Sequence, residues 1–169
     1  MTPTRGGPAA NYVRLTALAT DRKALMREIR TEVEIKAEPA VVWTVLTDFG
    51  SYAEWNPFII EAKGVAAEGE RLNMRFRPPG GSAMRMKPRV VRAEADSELR
   101  WLGHLGIPGI FDGEHYFELE PMNGTGTRLV QGEKFTGVTV PVFGRILRKT
   151  EKGFEQFNQA LKGRCETTA

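Results

Sequence analysis

The spacing of apolar side chains changes period near residue 140, and that change constrains the fold more than any other feature. Before it, apolar residues recur at every second position in segment after segment; after it they recur at steps of three and four. Ile29, Thr31, Val33 and Ile35 alternate with Glu28, Arg30, Glu32 and Glu34, the pattern of a strand with one buried face. Leu72, Met74 and Phe76 alternate with Arg71, Asn73, Arg75 and Arg77 in the same way. Leu99, Trp101, Gly103 and Leu105 define a third such face, His115, Phe117 and Leu119 a fourth, and Leu129, Gln131, Glu133 and Phe135 a fifth. The segments 58–66 and 84–95 also read as strands, with Gly64 free to bend the first and Pro88 marking a bulge or an edge in the second. Turns at 78–81 (PPGG) and 123–126 (NGTG) separate them. Beyond the change of period, Phe143, Ile146, Leu147, Phe154, Phe157 and Leu161 mark a helix over about 141–164. Gly153 inside it costs about 1 kcal/mol relative to alanine and allows a neighbouring backbone or a ligand to come close.

Two short helices follow the first strand. Pro39 fits a first helical position, where a missing N–H is harmless, and Val42, Leu46 and Phe49 form an apolar stripe behind it. Ser51 and Glu54 have the spacing of a capping box, and Asn56-Pro57 stops the second helix. Sequential strands joined by short turns imply an antiparallel sheet curved around the last helix. The expectation is an α+β chain of one domain, which suits 169 residues.

Composition narrows the function classes. Hydrophobic residues make up 41% and charged residues 27%, so the chain is neither disordered nor fibrous. No apolar run approaches the ~18 residues of a membrane span, and the first residues lack the apolar core of a secretory signal. A cytoplasmic location is expected. One cysteine, Cys165, excludes an internal disulfide and a multi-cysteine metal site. The net charge of +3 resides in residues 1–25, where Arg5, Arg14, Arg22 and Lys23 face Asp21 alone. We expect 1–25 to be a flexible basic extension, 26–165 the domain and 166–169 a short tail. Residues 71–100 hold eight basic side chains against three acidic ones, but without interleaved exposed aromatics they read as a solvated sheet face, with no specific nucleic-acid partner.

Three stretches carry a family resemblance: REIRTEVEIKAEPAVVWTVLTDFGSYAEWNPFI (27–59), LRWLGHLGIPGIFDGEHYFELEP (99–121) and GTRLVQGEKFTG (126–137) before the long helix. In that order they resemble the START-like, or SRPBCC, superfamily, and within it the polyketide cyclase/dehydrase-like group. The resemblance implies a helix-grip fold: a curved antiparallel seven-stranded sheet wrapped around a long C-terminal helix, with two short helices after the first strand. It also implies a mostly apolar cavity between sheet and helix for a lipid, a polyketide, an isoprenoid or another hydrophobic molecule. It implies no cofactor, and it leaves catalysis open, because the fold hosts binders and enzymes alike.

The inward phase of the strands supplies the residues expected to line such a cavity: Met74, Phe76, Met84, Met86, Trp101, Phe117 and Phe135, with Phe143 and Leu147 from the helix. Trp55 and the loop 106–111 are expected at its entrance by the resemblance. His115 shares a face with Phe117 and Leu119, as an acid/base group facing a ligand would, or as a hydrogen-bonded histidine at the cavity mouth. Gln131 and Glu133 share a face with Leu129 and Phe135. Glu133 either points inward, paired with a basic group or with His115 to orient a ligand's polar end, or is rotated outward by a bulge against Lys or Arg on a neighbouring strand. His104 has the solvent phase, no metal-ligand spacing joins the two histidines, and no serine lies in a nucleophile motif. Three functions follow: a carrier of a small hydrophobic ligand, a cofactor-independent cyclase or dehydratase using His115 or Glu133 as general acid/base, and a protein-interaction module using the basic sheet face. Oligomeric state is not legible.

Overall fold

The computed structural model describes residues 26–168 apart from Thr125 and Phe143. The basic extension at 1–25 lies outside the described residues. Strand β1 (Met26–Ile35) is followed by helix α1 (Pro39–Thr47), a single 3₁₀ turn (Phe49–Ser51) and the one-turn helix α2 (Tyr52–Trp55). Strands β2 (Ile59–Lys63), β3 (Asn73–Phe76), β4 (Met84–Met86), β5 (Arg89–Glu94), β6 (Glu98–His104), β7 (Asp112–Met122) and β8 (Gly126–Thr136) come next. A 3₁₀ turn (Val140–Val142) then leads into helix α3 (Gly144–Thr168). This is the helix-grip arrangement. No helix among the described residues is long and apolar enough to cross a membrane.

The strands run antiparallel in the orders β1-β8-β7-β6-β5 and β2-β3-β4. The two sets are joined through a broken strand. Arg71 bridges Arg89 in the same register that pairs Met74 with Met86, and the Leu72 N–H donates to the Pro88 carbonyl at 2.9 Å. Pro88 has no N–H to return, so the ladder loses one bond there and the segment 84–94 divides into β4 and β5. That accounts for eight strands where seven were expected.

Local expectations met mixed fates. Pro39 does open α1, with Val42 and Leu46 on its buried side. Ser51 does not cap α2, because the preceding 3₁₀ turn runs straight into it and already holds Ser51 in helical geometry. Its hydroxyl donates instead to the Asp48 carbonyl at 3.0 Å. Asn56 does stop α2, and its side-chain oxygen accepts the N–H groups of Phe58 and Ile59 at 3.0 and 2.8 Å.

Helix α3 lies against β1 and reaches α1, α2 and β8. Phe154, Phe157, Leu161 and Cys165 form its buried stripe. The ring of Phe58 takes the place a side chain at Gly153 would fill, with Cδ2 2.3 Å from an ideal Cβ. The helix runs one turn past the expected end. In that turn the Glu166 carboxylate accepts the Lys36 N–H at 2.8 Å, and one turn earlier Lys162 donates to the Glu34 carbonyl at 2.7 Å. That backbone hydrogen bond, followed by the nearby lysines, lowers the Glu166 pKa.

The outer face of the sheet is charged and largely cross-paired. Arg100 bonds Glu98, Glu114 (3.0 Å) and Glu118 (2.9 Å), Arg92 meets Glu94 (2.7 Å) and Glu98 (2.6 Å), and Arg75 meets Glu61 at 3.3 Å. Such exposed pairs contribute at most about 1 kcal/mol each. Tyr116 crosses this face over Gly132 and donates to Glu28 at 2.9 Å; burial, with that bond, pushes its phenol up to about 12.

Candidate functional site

A cavity of about 100 Å³ lies between the first turns of α3 and the inner face of the sheet. Ile146 and Thr150 form its helix wall, Trp101, His115, Glu133 and Phe135 its central sheet wall, and Phe76, Met84 and Met86 one side. Phe58, Pro78 and Pro88 complete that side, and Leu105 and Phe111 border the opening. Among the described residues that form this lining, Glu133 is the single carboxylate and no lysine or arginine is present.

Two glycines shape this wall of the cavity. Gly103 and Gly113 face each other across the β6–β7 pairing, on the inward phase of Trp101 and His115. Where paired strands would normally send two side chains into the core, none enters. Met86 fills part of the gap, its methyl 3.0 Å from where a Gly103 Cβ would stand. Glu133 uses the rest: a Cβ on Gly113 would come within 2.1 Å of its Oε1. The glycine therefore provides the seat for the carboxylate.

His115 is 1% exposed and clamped by rings. Trp101 stacks on it at 4.8 Å with planes 17° apart, while Phe117 and Phe154 approach at 4.8 Å from other directions. Its Nε2 lies 3.1 Å from the Gln131 amide nitrogen. With that nitrogen donating, Nε2 is the acceptor and the ring proton sits on Nδ1. Nδ1 faces Glu133 Oε2 at 3.6 Å, beyond hydrogen-bond length but close enough for a small rotation of the carboxylate to close it. Gln131 is held from behind, since Asn158 donates to Thr31 Oγ1 at 3.0 Å and Thr31 donates to the Gln131 carbonyl at 3.3 Å. The result is a fixed imidazole and a less buried carboxylate, adjacent on an otherwise apolar wall.

Seven of the residues expected from strand phase meet at this cavity: Phe76, Met84, Met86, Trp101, His115, Glu133 and Phe135. Others do not. Gln131 stands behind His115, and Met74 and Phe117 are packed in the core. Leu147 is buried, but the helix turns Ile146 and Thr150 toward the cavity instead. Trp55 packs on Tyr52 and Phe157 at 5.0 and 5.6 Å, at the other end of the helix–sheet contact and away from the entrance. Phe143 lies outside the described residues. His104 is exposed and bonds Asp112 at 2.7 Å. Phase puts Gly103 on the inward face but misses Gly113, Phe111 and Thr150; the glycine pair becomes visible only once the β6–β7 register is known.

The chain from 26 to 166 matches the family model described as polyketide cyclase / dehydrase and lipid transport. The protein belongs to that family. Solved structures give the same fold for the polyketide cyclase/dehydrase family member described here. The Zhui aromatase/cyclase from Streptomyces sp. R1128 superposes with a TM-score of 0.70 at 16% identity, covering 83% of this chain and 94% of that one. A START superfamily protein from Mycobacterium smegmatis gives 0.67 at 20% identity, with 84% and 99% coverage. A norcoclaurine synthase from Thalictrum flavum gives 0.65 at 15% identity, with 85% and 97% coverage. No curated protein sequence matches the chain.

Proposed function

We propose that this family member binds and carries a small, neutral hydrophobic molecule in the cavity beneath α3. The observation that supports the reading is the lining itself, in which, among the described residues, aromatic and methionine side chains surround one carboxylate and no lysine or arginine. Apolar burial supplies affinity, and the flexible methionines adapt to ligand shape. Glu133 accepts a hydrogen bond from a ligand hydroxyl, and the same carboxylate repels an anionic end group in a site with little water to screen it. Neutral lipid, isoprenoid or phenolic polyketide alcohols fit this chemistry; free fatty acids do not.

Calorimetric titration with 2-naphthol and with 2-naphthoate tests it. The naphthol should bind and the naphthoate should not, and Glu133→Gln should narrow the difference between them. Equal affinity for both ligands, or unchanged discrimination in Glu133→Gln, would overturn the carboxylate's role. Solvent extraction of the purified protein followed by mass spectrometry should then recover a neutral apolar compound.

A second reading rests on the placement of Glu133 beside the fixed His115 imidazole, 3.6 Å from its Nδ1. A carboxylate beside an imidazole in an apolar pocket can remove a proton next to a ligand carbonyl, the opening step of a cofactor-independent cyclisation or dehydration. Exchange of the α-protons of 2-tetralone in heavy water, followed by NMR, should be faster with the wild type than with Glu133→Gln. Equal rates would remove the catalytic reading and leave the carrier.

A further inference from the structure

Six of the nine large hydrophobic side chains exposed among the described residues belong to two segments at the cavity opening. Leu105, Ile107 and Ile110 lie on the loop after β6; Val138, Val142 and Ile146 lie on the segment entering α3. The two segments are sewn together. The Thr139 N–H and hydroxyl both donate to the Ile110 carbonyl, at 3.2 and 2.7 Å, and the Val138 N–H reaches the Gly109 carbonyl at 3.4 Å. Gly137 makes the seam possible: its φ is +131°, and a Cβ there would meet the Ile110 oxygen at 2.3 Å.

Ile107 and Val142 are the most protruding, 68% and 80% exposed. Scattered exposed aliphatics need no explanation, but a cluster around a pocket opening does. The charge beside it has one dominant sign. Arg145, Arg148 and Lys152 are exposed on the first turns of α3, and Lys149 is tied to the Gly80 carbonyl at 2.7 Å, against Glu151 on the same stretch. Across the opening, Asp112 is already engaged by His104 and by the Gly109 N–H at 2.8 Å.

We propose that this opening docks on the surface of an anionic lipid bilayer, with Ile107, Ile110, Val138 and Val142 entering the interface and Arg145 and Arg148 meeting lipid phosphates. Aliphatic knobs flanked by basic side chains are the combination that holds a protein at such a surface. The docked orientation turns the cavity toward the acyl region, so an apolar ligand passes between bilayer and protein without crossing water. Docking does not depend on the ligand reading, because neither Ile107 and Val142 nor the two arginines line the cavity.

Flotation of the full chain with vesicles of phosphatidylcholine alone, and of phosphatidylcholine mixed with phosphatidylglycerol, tests the proposal. The protein should float with the mixed vesicles and only weakly with the neutral ones. Replacing Ile107 and Val142 together by Asp should reduce binding by at least about tenfold. Replacing Arg145 and Arg148 by Gln should reduce it by about fivefold for each arginine, with less effect at high salt. All variants should keep the wild-type response to 2-naphthol, which shows that they fold. Absence of binding to mixed vesicles, or full binding by the aspartate variant, would overturn the proposal. So would a wild-type dimer in light scattering that the aspartate variant converts to monomer, since a second copy would then cover the patch. Vesicle binding by a protein that ignores 2-naphthol would sustain the docking and remove the carrier reading.

Discussion

The two ends of the space between α3 and the sheet obey different rules. At the C-terminal end Phe157 touches Tyr52, Trp55 and Phe117 at ring distances of 5.3–6.1 Å, and Leu161 and Cys165 are fully buried beyond it. At the N-terminal end the same helix meets the same sheet and leaves a cavity. The difference lies in a few residues. At the packed end the rings of Tyr52, Trp55 and Phe117 close on Phe157, whereas the open end has the glycine pair 103 and 113 in its wall and a partly buried carboxylate beside Gly113. A binding site here is a region of core from which side chains have been withheld.

The comparison breaks most visibly at the packed end. Phe157→Ala should lower stability by about 3–5 kcal/mol in chemical denaturation, the usual loss for a buried phenylalanine. Gly153→Ala comes next. The added methyl meets the Phe58 ring, and a net loss of about 1–2 kcal/mol is expected after the helix-propensity gain of about 1 kcal/mol.

Alkaline pH should also act on buried acids. Burial, aided by Glu166, pushes the Cys165 thiol up to about 12 from an ordinary value of 9, and the Tyr116 phenol rises from 10 to about 12. Both folded-state values lie above the unfolded ones, so the stability they contribute is complete below about pH 9. It is lost progressively as pH climbs toward 12, because the unfolded chain releases these protons first. Melting temperature measured from pH 8 upward should fall over this window, and iodoacetamide should alkylate Cys165 only on unfolding.

At the open end substitutions should cost less. Met86→Ala enlarges a space that is already accessible and should lose about 1 kcal/mol or less, with a larger effect on ligand affinity than on melting. Gly113→Ala sharpens the comparison most economically. Its methyl displaces the end of a flexible side chain, so stability should change by less than about 1 kcal/mol. The discrimination between 2-naphthol and 2-naphthoate should nevertheless move toward that of Glu133→Gln. If Gly113→Ala discriminates as the wild type does, the glycine is not what seats the carboxylate.

Much of the sheet was legible because alternation reports which face a residue takes. Alternation puts His115, Trp101 and Phe135 inward, and they are inward. Alternation does not report position along the helix axis. Met74 and Met86 face each other across β3 and β4, yet Met74 is in the packed core and Met86 at the cavity. In the helix the 3.6-residue period leaves roughly one residue of ambiguity, and Leu147 was chosen where Ile146 and Thr150 face the space. The family resemblance puts Trp55 at the entrance, but the 3₁₀ turn before α2 directs it toward Phe157. The seat of Glu133 depends on register between β7 and β8, a relation between segments twenty residues apart that no local pattern contains.

Strand β1 pairs along its whole length with β8, from Met26 against Thr136 to Ile35 against Thr127, and among the described residues has no other strand beside it. Its first partner is therefore synthesised about a hundred residues later. During translation the earliest segment of the domain waits as an unpaired strand with Ile29, Val33 and Ile35 available to any passing edge, and loop closure over that distance delays its docking further. The last turn of α3, through Glu166 and Lys162, then fastens the end of that strand and the residue after it. The domain consequently closes only when nearly its whole length has left the ribosome, and a nascent chain stalled before β8 exposes that first strand to aggregation.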